Sequence, residues 1–155
     1  MLLAWLNKLD AAAALSAGSE LVSLPGANVQ QAHLSRKWHT AAGVKSSYLL
    51  LDMGAATLCQ LLAVLGSNLT SAATLRLRAS DADPTATGSL LLDTGVISAG
   101  VKDGYGAAYK SFTATAARYW RLDLTDNAVA DNLQIGRVVL GPRWQPSSSQ
   151  LWDWS

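Results

Sequence analysis

Two short segments place aromatic side chains beside planar polar ones, the combination that sugar recognition asks for. "SRKWHT" (residues 35–40) sets Arg36, Trp38 and His39 within four positions, and "KDGYGAAY" (102–109) sets Tyr105 and Tyr109 around Gly104 and Gly106. An aromatic ring packs on the apolar C–H face of a pyranose, while guanidinium, imidazole and phenol groups bond its hydroxyls. If the two segments converge at one end of a fold, these five residues form the candidate ligand-binding set. Each has a plainer reading beside it. Trp38 equally suits a hydrophobic plug beneath the loops, and Tyr105 and Tyr109 suit subunit contact or ordinary loop packing.

Other chemistries find less to work with. "SDADPTATG" (80–88) supplies Asp81 and Asp83, and "DNAVADN" (126–132) supplies Asp126 and Asp131. Calcium takes about six to eight oxygen ligands, and neither segment has the spacing of a calcium loop. The acids read as turn formers on solvated loops, and none of them forms a pair marked for glycoside hydrolysis. His33, His39 and Cys59 lack zinc-ligand spacing and sit in no nucleophile–base motif. Cys59 falls within the apolar run "LCQLLAVLG" and reads as a small buried hydrophobe. "GVKDGYGA" is Gly-rich but lies among strands, without the strand-to-helix context of a phosphate loop. The expectation is a protein that is not an enzyme and carries no metal or cofactor.

Composition narrows the partners. The chain has 155 residues, half of them hydrophobic and 15% charged, with a formal net charge of +1. That length suits one domain with a sizeable core. No basic field points to nucleic acid, and no run is long enough to cross a membrane as a helix. The N-terminal "MLLAWLNKLDAAAALSAG" lacks a basic leader and is interrupted by Lys8 and Asp10, which argues against an export signal. A single cysteine excludes an internal disulfide.

The elements that would position the candidate residues are short and β-like. Residues 2–15 read as a short helical segment, and "SLPGANVQ" turns at Pro25-Gly26. "SSYLLLDMG" is an apolar strand ended by Asp52 and Gly54, and its three leucines suggest burial on both faces. "TLCQLLAVLGSNL" is a second strand. "ATLRLRASD" alternates, Leu75 and Leu77 inward and Arg76 and Arg78 onto a wet face. "LLLDTGVIS" starts another strand. "YKSFTAT" and "RYWRLDLTD" are two strands joined by an Ala-Ala connection. In the latter, Trp120, Leu122 and Leu124 take the core face, and Tyr119, Arg121 and Asp123 take the outer one. "LQIGRVVLG" closes the series. Many short strands between turn signals predict an all-β, antiparallel sandwich of about eight strands.

Three of these segments carry a family likeness. "YLLLDMG", "ARYWRLDLTD" and "LQIGRVVLGP" resemble, in order and spacing, the strands of discoidin-like domains, the coagulation-factor type C family of the galactose-binding-like superfamily. Taken with "LPGANVQQAHLSRKWHT" and "IGRVVLGPRW", the chain is similar to the small jelly rolls of tail-tip proteins in long-tailed bacteriophages. The resemblance implies a jelly-roll β-sandwich without a catalytic centre. It also implies a structural virion protein of the tail tip or baseplate, assembled in the bacterial cytoplasm with other tail-tip proteins and with copies of itself in a ring. The alternative is a carbohydrate-binding module that attaches to a host-surface glycan. The disulfide that often joins the termini of secreted discoidin domains has no counterpart here, as suits assembly in a reducing compartment.

The remaining aromatics lie at the ends. Trp144, Trp152 and Trp154 follow Pro142 in "PRWQPSSSQLWDWS", and Trp5 lies in the N-terminal apolar stretch. Large aromatics are enriched at interfaces, so these four are read as subunit anchors. The expected organisation is an N-terminal apolar arm over 1–25, a sandwich over 26–142, and a Trp-rich arm over 143–155.

Overall fold

A computed structural model describes residues 6–102 and 104–143. Nine strands run in chain order: β1 (Ala14–Ala17), β2 (Trp38–His39), β3 (Ser46–Leu65), β4 (Thr74–Ser80), β5 (Leu90–Asp93), β6 (Ile97–Ser98), β7 (Ala108–Thr125), β8 (Gln134–Ile135) and β9 (Arg137–Gly141). All pair antiparallel, and the fold is the expected jelly-roll-type β-sandwich. The order β1-β3-β7-β4-β5, with β6 also on β4, forms one layer. The second layer uses the other halves of the same long strands, with β9 paired to Leu61–Leu65 of β3 and β7 on the opposite side.

This sharing is where the structure departs from the strand count read in the sequence. "SSYLLLDMG" and "TLCQLLAVLGSNL" are one strand of 20 residues, and "YKSFTAT" and "RYWRLDLTD" are one strand of 18. Gly54 does mark a break, but it makes a bulge rather than a reversal. Its φ is +76°, its amide donates to Asp52 Oδ1 at 2.7 Å, and the β3–β7 register shifts between Asp52 and Thr57. A bulge bends a strand and raises its twist, so β3 passes from one layer into the other.

The expected helix over residues 2–15 is absent among the described residues. A single 3-10 turn covers Lys8–Ala11, and Ala14–Ala17 form edge strand β1, paired with Leu49–Asp52. Alanine's helix propensity, a few tenths of a kcal/mol per residue, is outweighed by ladder bonds and packing at the edge of a sheet. Residues 14–25, expected to belong to an arm, therefore sit within the sandwich, where Leu21 also bridges to Leu24.

The core lies between the layers. Leu49, Leu51, Leu75, Leu77, Trp120, Leu122 and Leu124 from the first layer meet Leu62, Val64, Val138 and Leu140 from the second, all essentially buried. Trp120 donates its indole N–H to Ala117 O at 2.9 Å and packs against Phe112. The expected core face of "RYWRLDL" is confirmed. That of "YLLLDMG" is corrected: Leu49 and Leu51 are buried while Leu50 shares the outer face with Tyr48 and Asp52, so the strand has one wet side. Cys59 is fully buried, as expected.

The outer face of the first layer is a lattice of charges. Arg76 forks onto Asp93 at 2.6 and 2.8 Å. Asp123 is shared by Arg78 at 2.6 Å and Arg121 at 3.0 Å. Arg121 also lies 3.8 Å over the ring of Tyr48. Arg78 was expected on a wet surface, yet it is 9% exposed because these neighbours cover it.

Candidate functional site

The loop from β6 to β7 is built from both ends. Ala99 and Val101 are buried at its start and Ala108 at its finish. Between them the Tyr105 amide donates to Lys102 O at 3.1 Å, closing a turn in which Gly104 has φ +86°. Gly106 then wedges against the neighbouring loop. Ser67 donates to Gly106 O from both its amide and its hydroxyl, each at 2.9 Å, and a Cβ at Gly106 would lie 2.3 Å from Ser67 O. Only glycine fits an approach that close at positive φ.

This anchoring leaves two tyrosines standing outward. Tyr105 is 79% exposed and Tyr109 61%. With Gly100, Lys102 and Ala107 they line an open recess of about 380 Å³. Lys110, next to Tyr109 on β7, folds its ammonium over Gly100, 3.1 Å from where a Cβ there would sit. Sequence reasoning named the tyrosines but missed Lys102 and Lys110, which carry no motif; their only signal was adjacency to the aromatics.

The other candidate segment reaches the same end of the sandwich without joining the recess. β2 pairs with β8, His39 opposite Gln134, and Gln134 exchanges backbone and side-chain bonds with Asn68. Asn68 adjoins the Ser67 that holds Gly106, and Leu34 packs at Gly66. Trp38 is fully buried and donates its indole N–H to Ser19 O at 2.9 Å. It is a plug, with no face free for a ligand. His39 is half-buried, and burial, with a smaller contribution from Lys37, holds its pKa below the usual imidazole value. Arg36 is exposed. Neither Arg36 nor His39 lines the recess. The predicted five thus divide into an exposed tyrosine pair, a buried tryptophan and two residues set apart. Trp5, Trp144, Trp152 and Trp154 lie outside the described residues.

The loop acids fasten the fold. Asp83 accepts the amides of Thr85, Thr87 and Gly88 and the Thr85 and Thr87 hydroxyls. These donors, the Thr85 hydroxyl foremost, hold its carboxyl well below the usual range. Asp126 accepts from the Thr70 amide and hydroxyl and from the Ala128 amide. Asp131 accepts from Gly43, and Asp81 from the Arg118 amide. Asp126 differs from the expected solvated turn former in being 1% exposed, since it ties the 70s loop to the end of β7. Among the described residues no three His, Cys, Asp or Glu side chains gather into a metal-binding cluster.

A second recess, about 250 Å³, lies on the outer sheet face beside Leu50, Asp52, Pro84 and Tyr119. Its carboxylate is committed: Asp52 holds Arg118 through two bonds of 2.8 and 2.9 Å.

No family model and no curated protein sequence matches the chain. Solved structures do. Chitosan-binding module 1 of a Paenibacillus chitosanase/glucanase superposes with a TM-score of 0.68 at 17% identity, over 87% of this chain and 98% of that one. The likeness is one of fold, the antiparallel β-sandwich described above. The lectin domain of lectinolysin, solved with Lewis B antigen, matches at TM-score 0.64 and 11% identity, over 94% of this chain and 100% of that one. The CBM32 of AlyQ, solved with 4,5-unsaturated mannuronic acid, matches at TM-score 0.61 and 25% identity, over 83% and 94%.

Proposed function

We propose that this protein is a non-catalytic glycan-recognition module that receives a saccharide in the recess between Tyr105 and Tyr109. The observation that carries the reading is the tyrosine pair itself. Two large aromatics stand exposed, Tyr105 on a loop locked by Gly106 and Ser67 and Tyr109 at the start of β7, at the end of a sandwich whose described tryptophans, Trp38 and Trp120, are buried. A rigid aromatic platform costs little conformational entropy when a ligand settles on it. The solved relatives support the reading, since the three named above are a chitosan-binding module, a lectin domain and a carbohydrate-binding module. Titration of the full chain against a glycan array, with Tyr105→Ala and Tyr109→Ala as controls, tests it. Binding lost in both variants is expected; no binding of any glycan at millimolar concentration refutes it.

A finer reading concerns where the module works. The ordered segments "LLLDMG", "ARYWRLDLTD" and "IGRVVLGPRW" favour a tail-tip or baseplate protein of a long-tailed phage, present in several copies beside other tail-tip proteins and touching host-surface glycan. Mass spectrometry and negative-stain imaging of purified particles test this placement, and absence of the chain from particles rejects it.

A further inference from the structure

We infer that the tyrosine recess selects acidic saccharides, uronates or other carboxylated or sulfated sugars, over neutral and amine-bearing ones. This rests on the glycan reading above and adds the chemical class. Two ammonium groups lie at the recess: Lys102 lines it, and Lys110 places its ammonium beside Gly100, another of the lining residues. Among the described residues neither lysine forms an ion pair or hydrogen bond, whereas Arg76, Arg78, Arg118, Arg121 and Arg137 are each tied to an aspartate. Even with Asp103 counted, whose position is outside the described residues, Lys102, Asp103 and Lys110 sum to +1. Four of the loop acids that could reverse this sign, Asp81, Asp83, Asp126 and Asp131, are engaged by backbone donors in their own parts of the fold.

The arrangement divides the work. The tyrosine rings take the apolar face of the sugar and supply most of the contact area. The lysines supply the discrimination, because a carboxylate or sulfate held beside the ring gains a charge-assisted bond that a hydroxymethyl group does not. An amine-bearing sugar meets the same two charges as repulsion. At a solvated site each lysine contributes on the order of a threefold change in affinity, and the contribution shrinks as salt screens it.

The test is isothermal titration of the full chain with trigalacturonate, with galactotriose as its uncharged counterpart, and with an amine-bearing trisaccharide, at about 20 mM and about 200 mM NaCl. Lys102→Gln, Lys110→Gln, Tyr105→Ala and Tyr109→Ala are compared with the parent. The expected result is tightest binding of trigalacturonate, weakened about threefold by each lysine substitution and by the higher salt, with galactotriose unaffected by either. Equal affinity for the acidic and neutral trisaccharides, lost in the tyrosine variants but unmoved in the lysine variants, overturns the assignment of class and leaves the glycan site standing. Binding of none of the three at millimolar concentration, with no hit on the glycan array, overturns both. Acid selectivity that survives in the tyrosine variants places the anion elsewhere and also overturns the inference.

Discussion

The contact between Gly106 and Ser67 allows the loop's rigidity to be tested with two alanines placed two residues apart. Gly104 and Gly106 both have positive φ, +86° and +57°. An added Cβ at Gly104 meets nothing within 4 Å, so Gly104→Ala registers backbone strain alone, about 1 kcal/mol. At Gly106 the same atom lands 2.3 Å from Ser67 O and 3.2 Å from Ser67 N. The obstruction is backbone on both sides and cannot rotate away as a side chain would. Relief requires the two loops to part, which gives up the two 2.9 Å bonds from Ser67 to Gly106 O. At about 0.5–1.5 kcal/mol each, added to the strain, Gly106→Ala loses about 2–4 kcal/mol. For a domain of this size that is a fall in Tm of about 4–16 °C, against about 2–4 °C for Gly104→Ala. Scanning calorimetry of the two variants beside the parent measures the difference. Saccharide titration well below the lower Tm then reports whether parting the loops also spoils the tyrosine platform. Equal melting temperatures for the two variants would refute the argument, because the close approach would then carry no energy.

Other expectations follow from individual side chains. Trp38→Ala should lose about 3–5 kcal/mol as a cavity opens under the loops, with Trp38→Phe losing less; urea unfolding checks this, and a parental midpoint for Trp38→Ala would contradict its role as plug. Burial pushes the Cys59 thiol up to about 12, so the native protein should resist thiol reagents at pH 8 and react fully in denaturant; rapid labelling of the native protein counts against this burial. Stability should also fall in acid, measured as Tm against pH. The Arg76 hydrogen bonds hold Asp93 at about 2, and Asp52 and Asp83 are also lowered, by Arg118 and by the Thr85 hydroxyl with its neighbouring amides. Because the folded values lie below the ordinary carboxylate value of 3.8, the unfolded chain binds protons first. The stabilisation is whole above about pH 4 and drains away as pH falls towards 2. Arg76→Gln should flatten that slope, and an unchanged slope would show that the pair is not the source.

What the sequence revealed, and what it hid, divides along range of interaction. Period-two alternation placed Trp120, Leu122 and Leu124 inward because side-chain direction in a strand is a local property. It missed the continuity of β3 and β7, because Gly54 reads alike as a hairpin turn and as a bulge, and the choice is made by whichever strand lies alongside. It missed β1 for the same reason: Ala11–Ala14 look helical until the edge at Leu49–Asp52 is present to capture them. Trp38 and Tyr105 drew the same attention as aromatics near turns. Their fates differ because one is covered by the 19–24 segment and the other is held out by a glycine wedge, and neither cover nor wedge is written near them. Lys102 and Lys110 were invisible as a pair, since only the fold of the loop brings Lys110 over Gly100.

The threading of β3 and β7 through both layers also governs how the chain is made. Ser46 bonds Thr125 across 79 positions, and each half of β3 depends on β7 for a neighbour. A ribosome that has delivered residues up to about 100 has released the leucines of β3 and β4 with only the short strands β1, β5 and β6 to pair with them, and without the long β7 that joins the two. Neither layer can be completed in advance of the other, so the nascent chain gains no sheltered halfway state. Closing so long a loop before any contact rewards it makes folding slow for the size of the domain. Synthesis of Ala108–Thr125 is therefore the step on which burial of the whole apolar interior waits. Until then the segment most exposed to misassociation is "YLLLDMG", the same run that later forms the centre of the sandwich.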